Sequence, residues 1–282
     1  MKLSVITDEI SMDFEHALDV MREYGCEGAE LRSLWGTNIV DLSDDQIERA
    51  KRALDARGMA VSCIASPLFK CDLDETGGSA AGRTHQAQER GLGQQMDVLE
   101  RCIHLCGVFD TPFIRIFAFW RRGDLTDNIE KEITRIFEEP AARAEKANVV
   151  LGLENEHSCY LGTGGEIARV IKAVNSPGLR AVWDPGNAFC AGEVPYPDGY
   201  EAVKDYIVHV HIKDAVREDG KHKFVCIGDG EIDYDGHLRA LVADGYDGYL
   251  SLETHYKPGG MSEDGSRQCL ASLKEMLQAI NA

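Results

Sequence analysis

The sequence is short of positive charge: 30 lysines and arginines stand against 48 acids, and 30 − 48 = −18. A surface of that sign repels phosphate backbones and anionic lipid unless a local basic patch intervenes, which argues against nucleic acid and membrane partners. Long apolar runs are missing too. No stretch approaches the ~20 residues that cross a bilayer, and the first residues open a strand without a basic and then apolar leader. The expectation is a chain that is neither exported nor membrane-spanning. Its nine cysteines include no closely spaced zinc-type pairs, and several lie in apolar runs where a free thiol packs as a small hydrophobe. A reducing cytoplasm fits that usage. Cys102 and Cys106, four apart on a predicted helix, are read as sharing a buried face. Also absent are linkers, internal repeats and low-complexity tracts. Thr7-Asp8-Glu9-Ile10 stands where an open dinucleotide-binding sheet would carry its glycine fingerprint.

What is present is an ordinary globular composition, 44% apolar and 28% charged over 282 residues, with enough material for a sizeable core. A strand at 3–7 precedes a helix at 13–24 that stops at Gly25, and a second strand follows at 28–32. Ser43-Asp44-Asp45-Gln46 has capping-box spacing for a helix ending at Gly58, and 59–64 reads as the third strand. The polar, glycine-rich stretch 67–85 is too long for a plain connection and predicts a mobile lid or substrate loop. A helix at 88–106 leads to a fourth strand at 113–117. The next helix starts near Thr126 and carries Pro140, which predicts a kink or split. Strands ending at Glu154, Asp184, Asp214 and Glu253 alternate with further helices, one capped by Thr163-Gly164-Gly165-Glu166 and the last over 266–280. Eight strands, each followed by helical material, predict a single (β/α)₈ TIM barrel of the α/β class over residues 1–282.

Chemistry concentrates at strand exits. In Val208-His209-Val210-His211-Ile212-Lys213-Asp214, side chains two apart share a strand face, so His209 and His211 point the same way. In a barrel the C-terminal strand ends converge, which would bring Glu154, Asp184, His211 and Glu253 into one pocket. Each acidic strand end alone also reads as a helix cap or solvated rim. Together, three carboxylates and an imidazole repel one another unless they share a cation, and the mixed set suits one Mn²⁺, Mg²⁺, Co²⁺ or Zn²⁺. Glu30 ends strand two as a candidate contact for a substrate hydroxyl, and Arg32 on the same face offers a simple ion pair instead. Arg115, inside strand four, needs an acidic or ligand partner. His157 is a candidate substrate contact or a solvated loop histidine. Lys213 either neutralises the cluster or pairs with Asp214. The Gly228–Asp233 run reads as a turn rather than a phosphate cradle.

Leu153-Glu154-Asn155, Trp183-Asp184-Pro185-Gly186-Asn187, the HVHIKD run 209–214, the GDGEID run 228–233 and the GYDGYLSLET run 245–254 resemble the xylose-isomerase-like sugar phosphate isomerase/epimerase superfamily. It holds ketose 3-epimerases, hydroxypyruvate isomerases, inosose dehydratases and, more remotely, endonuclease IV. The resemblance implies a metal site at Glu154, Asp184, His211 and Glu253, and a substrate-binding arginine at Arg217. Asn187 stands where ketose epimerases carry a substrate-facing histidine, and Tyr160 where they carry a second glutamate. The endonuclease branch needs histidines where Ser66-Pro67 and Ala118-Phe119-Trp120 stand.

A metal that chelates a carbonyl and the adjacent hydroxyl acidifies the carbon-bound proton, and Glu154 and Glu253 are the candidates to remove and return it. That predicts a metal-dependent isomerase or epimerase acting on a carbohydrate. The alternatives are a dehydratase or lyase on a cyclitol or 3-keto-glycoside, and a non-catalytic metal-binding partner subunit. Homo-oligomerisation is left open.

Overall fold

The computed structural model describes residues 1–74 and 85–281. Eight parallel strands close into a barrel: β1 (Lys2–Ile6), β2 (Gly28–Leu31), β3 (Ala60–Ala65), β4 (Phe113–Ile116), β5 (Val150–Glu154), β6 (Leu179–Trp183), β7 (Ile207–Ile212) and β8 (Tyr249–Leu252). Each strand pairs with its neighbours in sequence, and β8 closes on β1 with Leu3 opposite Leu250. The strand interiors are short apolar runs because both faces are covered, by helices outside and side chains inside. Val5, Leu31, Ile64, Ile114, Leu151, Ala181, Val210 and Leu250 belong to one continuous buried core with the inner faces of the helices.

Helices α1 (Phe14–Glu23), α2 (Asp44–Asp55), α3 (Gln95–Phe109), α4 (Asp127–Lys146), α5 (Gly164–Val174), α6 (Pro185–Cys190), α7 (Tyr200–Val203), α8 (Tyr234–Ala243) and α9 (Ser262–Asn281) form the outer layer. Both expected capping boxes are present, Ser43 with Gln46 and Thr163 with Glu166. An antiparallel hairpin, Asp214–Glu218 with Lys221–Val225, rises from the end of β7.

Three local expectations are corrected. Helix α4 runs unbroken through Pro140. A proline there removes one N–H bond, and the apolar face of Ile133, Phe137, Pro140, Ala141 and Ala144 is buried on both sides of it. Helix α3 begins at Gln95 rather than near Gln88. The preceding segment is held as a loop, because Asp41 accepts from the Gln88 N–H and pairs with Arg90. Of the expected lid, residues 75–84 lie outside the described residues. Its first part is not an open loop: Leu68, Phe69 and Cys71 are buried, and their carbonyls accept from the backbone of Phe117, Phe119 and Trp120.

Among the described residues, no helix is long and apolar enough to cross a membrane.

Candidate active site

The C-terminal strand ends gather the residues expected there. Glu154 is the last residue of β5, Asp184 follows β6 as the N-cap of α6, His211 sits near the end of β7, and Glu253 follows β8. One ligand atom from each lies within 4.8 Å of the others, and all four side chains are buried. The Asp184 carboxylate caps α6 through the Asn187 N–H at 2.8 Å, which fixes it at the helix start.

The His211 ring is oriented from both sides. Nδ1 faces the carboxylates, 3.1 Å from Glu154 Oε1 and 3.7 Å from Glu253 Oε2, whereas Nε2 lies 3.0 Å from Glu30 Oε1. The other Glu30 oxygen takes His209 Nε2 at 2.8 Å, so the two strand histidines do share a face. This corrects the expectation for Glu30: both of its oxygens are engaged by buried imidazoles beneath the cluster, and no ion pair forms with Arg32. Arg32 instead turns to Asp8, Glu9 and Glu253, at 2.6 Å to Glu253 Oε1.

Lys213 does neutralise the cluster. Its Nζ lies 2.8 Å from Asp184 Oδ2 and 2.8 Å from Glu253 Oε2, while Asp214 is occupied elsewhere, accepting from the N–H groups of Ala215, Gly228 and Gly230. Arg115 Nη1 donates to Glu154 Oε2 at 2.9 Å inside the barrel. Asn187 Nδ2 donates to Glu154 Oε1 and Asp184 Oδ2, both at 3.1 Å, and its Oδ1 meets His157 Nδ1 at 3.1 Å. Gly186 is required for close approach: a Cβ there would lie 2.4 Å from Lys213 Cγ and 2.8 Å from its carbonyl oxygen. Arg217 is not brought in. It sits exposed on the hairpin, its guanidinium 4.7 Å over the Phe189 ring at the rim.

Charge is distributed unevenly in this buried set. Burial raises the Asp184 carboxyl, and Glu154 and Glu253 add to it against the pull of Lys213, leaving it at about 6. Burial also opposes the charge on Glu253, but Lys213 and Arg32 overcome it and hold this carboxyl well below its ordinary range. His211 is buried as well, yet Glu30 and Glu154 keep its proton on well above the usual imidazole range. Three carboxylates and a properly aimed imidazole nitrogen form a mixed oxygen and nitrogen donor set that fits a divalent ion. The Glu30 acceptor behind His211 is the outer support that ligating histidines carry.

Several residues at this site were not anticipated. Asp8 and Glu9 follow β1 at the strand-end position used for the other candidates, so position alone pointed to them. Glu156 and Lys70 form a part-buried pair at 3.2 Å, and Lys70 Nζ lies 4.1 Å over the Phe117 ring. His255 Nε2 lies 3.6 Å from Glu253 Oε1. Burial, with Arg32 and Lys70, depresses the His85 imidazole well below its usual value.

The chain is similar over most of its length to proteins of known name. It is 25% identical over 270 residues to the inosose dehydratase of Lacticaseibacillus casei, covering 87% of this chain and 83% of that protein. It superposes on a solved structure of the IolI protein with a bound zinc atom at a TM-score of 0.78 and 18% identity, over 99% of each chain. The probable 3-DHS dehydratase AsbF of Bacillus anthracis gives a TM-score of 0.71 at 18% identity, covering 97% of this chain and 98% of that one. The family model for the xylose isomerase-like TIM barrel matches residues 18–276, and with the closed eight-stranded barrel this establishes that the chain belongs to that family.

Proposed function

We propose that the protein is a divalent-metal-dependent lyase that eliminates water from a neutral keto-polyol, with an inosose-like keto-cyclitol as the substrate class. What carries this reading is the pairing of the four-residue donor cluster with near-full-length similarity to inosose dehydratases. Glu154, Asp184, His211 and Glu253 would hold the ion. When bound, a divalent cation draws electron density from a carbonyl and its neighbouring hydroxyl and acidifies the adjacent C–H. Glu154 and Glu253 are the candidates for taking that proton. Arg115 and Asn187 fix the first, and Arg32 and Lys213 the second.

Two observations favour the lyase over the isomerase or epimerase that motif order first suggested. Inversion needs two carboxylates that pick up and return protons with similar ease, whereas Lys213 and Arg32 hold the Glu253 carboxyl well below its ordinary range and Glu154, between His211 and Arg115, is lowered less far. At the position where ketose epimerases carry their second glutamate, Tyr160 is buried in the apolar core. A second reading, epimerisation of a keto-sugar, is supported by the presence of both Glu154 and Glu253 in the cluster and starts from the same proton abstraction.

Incubating the metal-loaded protein with inosose in D₂O separates the two. The lyase reading expects loss of water and growth of enone absorbance. Deuterium in recovered substrate with an inverted centre and no loss of water would overturn it in favour of the epimerase.

A further inference from the structure

His157 sits in a hydrogen-bond arrangement that holding a metal does not require. Its Nδ1 lies 3.1 Å from Glu156 Oε1 and 3.1 Å from Asn187 Oδ1. Asn187 spends its Nδ2 hydrogens on the Glu154 and Asp184 carboxylates, so the oxygen is the atom it turns to the ring. Two acceptors facing Nδ1 put a hydrogen on that nitrogen in every protonation state, and Nε2 becomes the nitrogen that titrates.

Glu156 is held in place for this role. Its Oε2 pairs with Lys70 Nζ at 3.2 Å, and the Ser158 N–H donates to Oε1 at 3.2 Å. The Glu156 side chain is 12% exposed while that of His157 is 43% exposed, so the carboxylate is enclosed and the ring is open to solvent. An orienting carboxylate, an imidazole fixed in one tautomer and a free second nitrogen are the parts of an acid/base device. Asn187 links this ring by hydrogen bonds to two members of the donor cluster.

We propose that His157 is the catalytic acid of the elimination, delivering the Nε2 proton to the departing hydroxyl, with Glu156 as its positioning residue. The inference rests on the lyase reading. A carboxylate of the cluster takes the proton from the carbon beside the carbonyl, and the C–H electron pair becomes the C=C bond. The C–O bond one carbon further breaks with its pair going to oxygen, which takes the Nε2 proton and leaves as water. The ring ends neutral with its hydrogen on Nδ1, and regains the Nε2 proton from solvent as the carboxylate gives its own back. No oxidant or reductant is needed. Burial lowers the His157 pKa and Lys213 adds to this, but Glu156 and Asn187 outweigh them and raise it above its ordinary value.

The test compares the full-length, magnesium-loaded native protein with His157→Gln and Glu156→Gln, on inosose in D₂O. His157→Gln should keep full metal and exchange the carbon-bound hydrogen within a few-fold of native, while water elimination falls by ~10² to 10⁴-fold. Native elimination should decline on the alkaline side as Nε2 loses its proton. That limb should move to lower pH in Glu156→Gln and vanish in His157→Gln. Long-range ¹H–¹⁵N spectra of the neutral ring should show the hydrogen on Nδ1. Native-rate elimination by His157→Gln, equal loss of exchange and elimination at full metal content, or a neutral ring protonated on Nε2 would each overturn the proposal while leaving the lyase reading intact. A native protein that exchanges deuterium but never loses water would instead refute the lyase reading, and this assignment with it.

Discussion

His211 and Glu30 lie 3.0 Å apart, imidazole Nε2 to carboxylate Oε1, with the opposite ring nitrogen aimed into the carboxylate cluster. Glu30 therefore sets both the tautomer and the tilt of His211 from outside the cluster. Removing such a partner typically costs ~10 to 100-fold in metal affinity. Glu30→Gln keeps an acceptor oxygen but loses the charge, and it should weaken zinc binding within that range, as read by competition with a chromophoric chelator. Native affinity in a folded Glu30→Gln protein would show that His211 needs no such support.

Metal retention itself is the more basic prediction. The purified protein should carry about one divalent ion per chain, because the four donors enclose one position. Asp184→Ala and His211→Ala should abolish retention, and elemental analysis finding full occupancy in either variant would sink the ligand assignment.

The pH dependence of metal binding follows from where the protons sit. In the metal-free protein His211 keeps its proton well above the usual imidazole range, held by Glu30 and Glu154 against burial, and Asp184 titrates at about 6. A metal needs both groups deprotonated, so binding releases protons and affinity must rise with pH. The dependence should be steeper below about pH 6, where Asp184 contributes a second proton. Calorimetry in buffers of different ionisation enthalpy reads the proton count, and affinity that is flat across neutral pH would contradict it.

The strand-end residues were legible for a geometric reason. Side chains alternate along a strand and barrel strands share one C-terminal face, so Glu154, Asp184, His211 and Glu253 could be grouped without knowing a single contact. Partner choice was not legible, because it depends on rotamers and on the stagger between strands. Glu30 and Arg32 show this. Two apart, they should share a face, but the pairing of β2 with β3 shifts register between Ala29 and Glu30, and β2 ends at Leu31. Arg32 thus leaves the strand and swings to Asp8, Glu9 and Glu253, while Glu30 stays inside beneath the histidines. The Lys70–Glu156 pair joins residues 86 positions apart and left no pattern in the sequence. Continuity through Pro140 escaped for the opposite reason: a local rule favoured a break, and tertiary packing of the α4 face opposed it.

The last prediction concerns Glu154 and Glu253. Asp184 is committed to capping α6 and His211 is braced by Glu30, so the two glutamates are the members of the cluster left for proton transfer. Glu154→Gln and Glu253→Gln each keep an oxygen for coordination but lose the titratable group. Both should retain appreciable metal, and in the variant of the glutamate that takes the carbon-bound proton turnover should fall by ~10² to 10⁴-fold, the usual worth of general acid/base catalysis. The two variants should also differ. Neutralising Glu253 still leaves Arg32 with Asp8 and Glu9 and Lys213 with Asp184, whereas Glu154→Gln removes the carboxylate that Arg115 pairs with inside the barrel. Breaking one side of a buried ion pair is strongly destabilising, and Glu154→Gln should show the larger drop in thermal midpoint. If only one carboxylate takes the carbon-bound proton, the other variant should still exchange substrate hydrogen with D₂O. A metal-loaded Glu154→Gln or Glu253→Gln protein with near-native turnover would remove that glutamate from the chemistry.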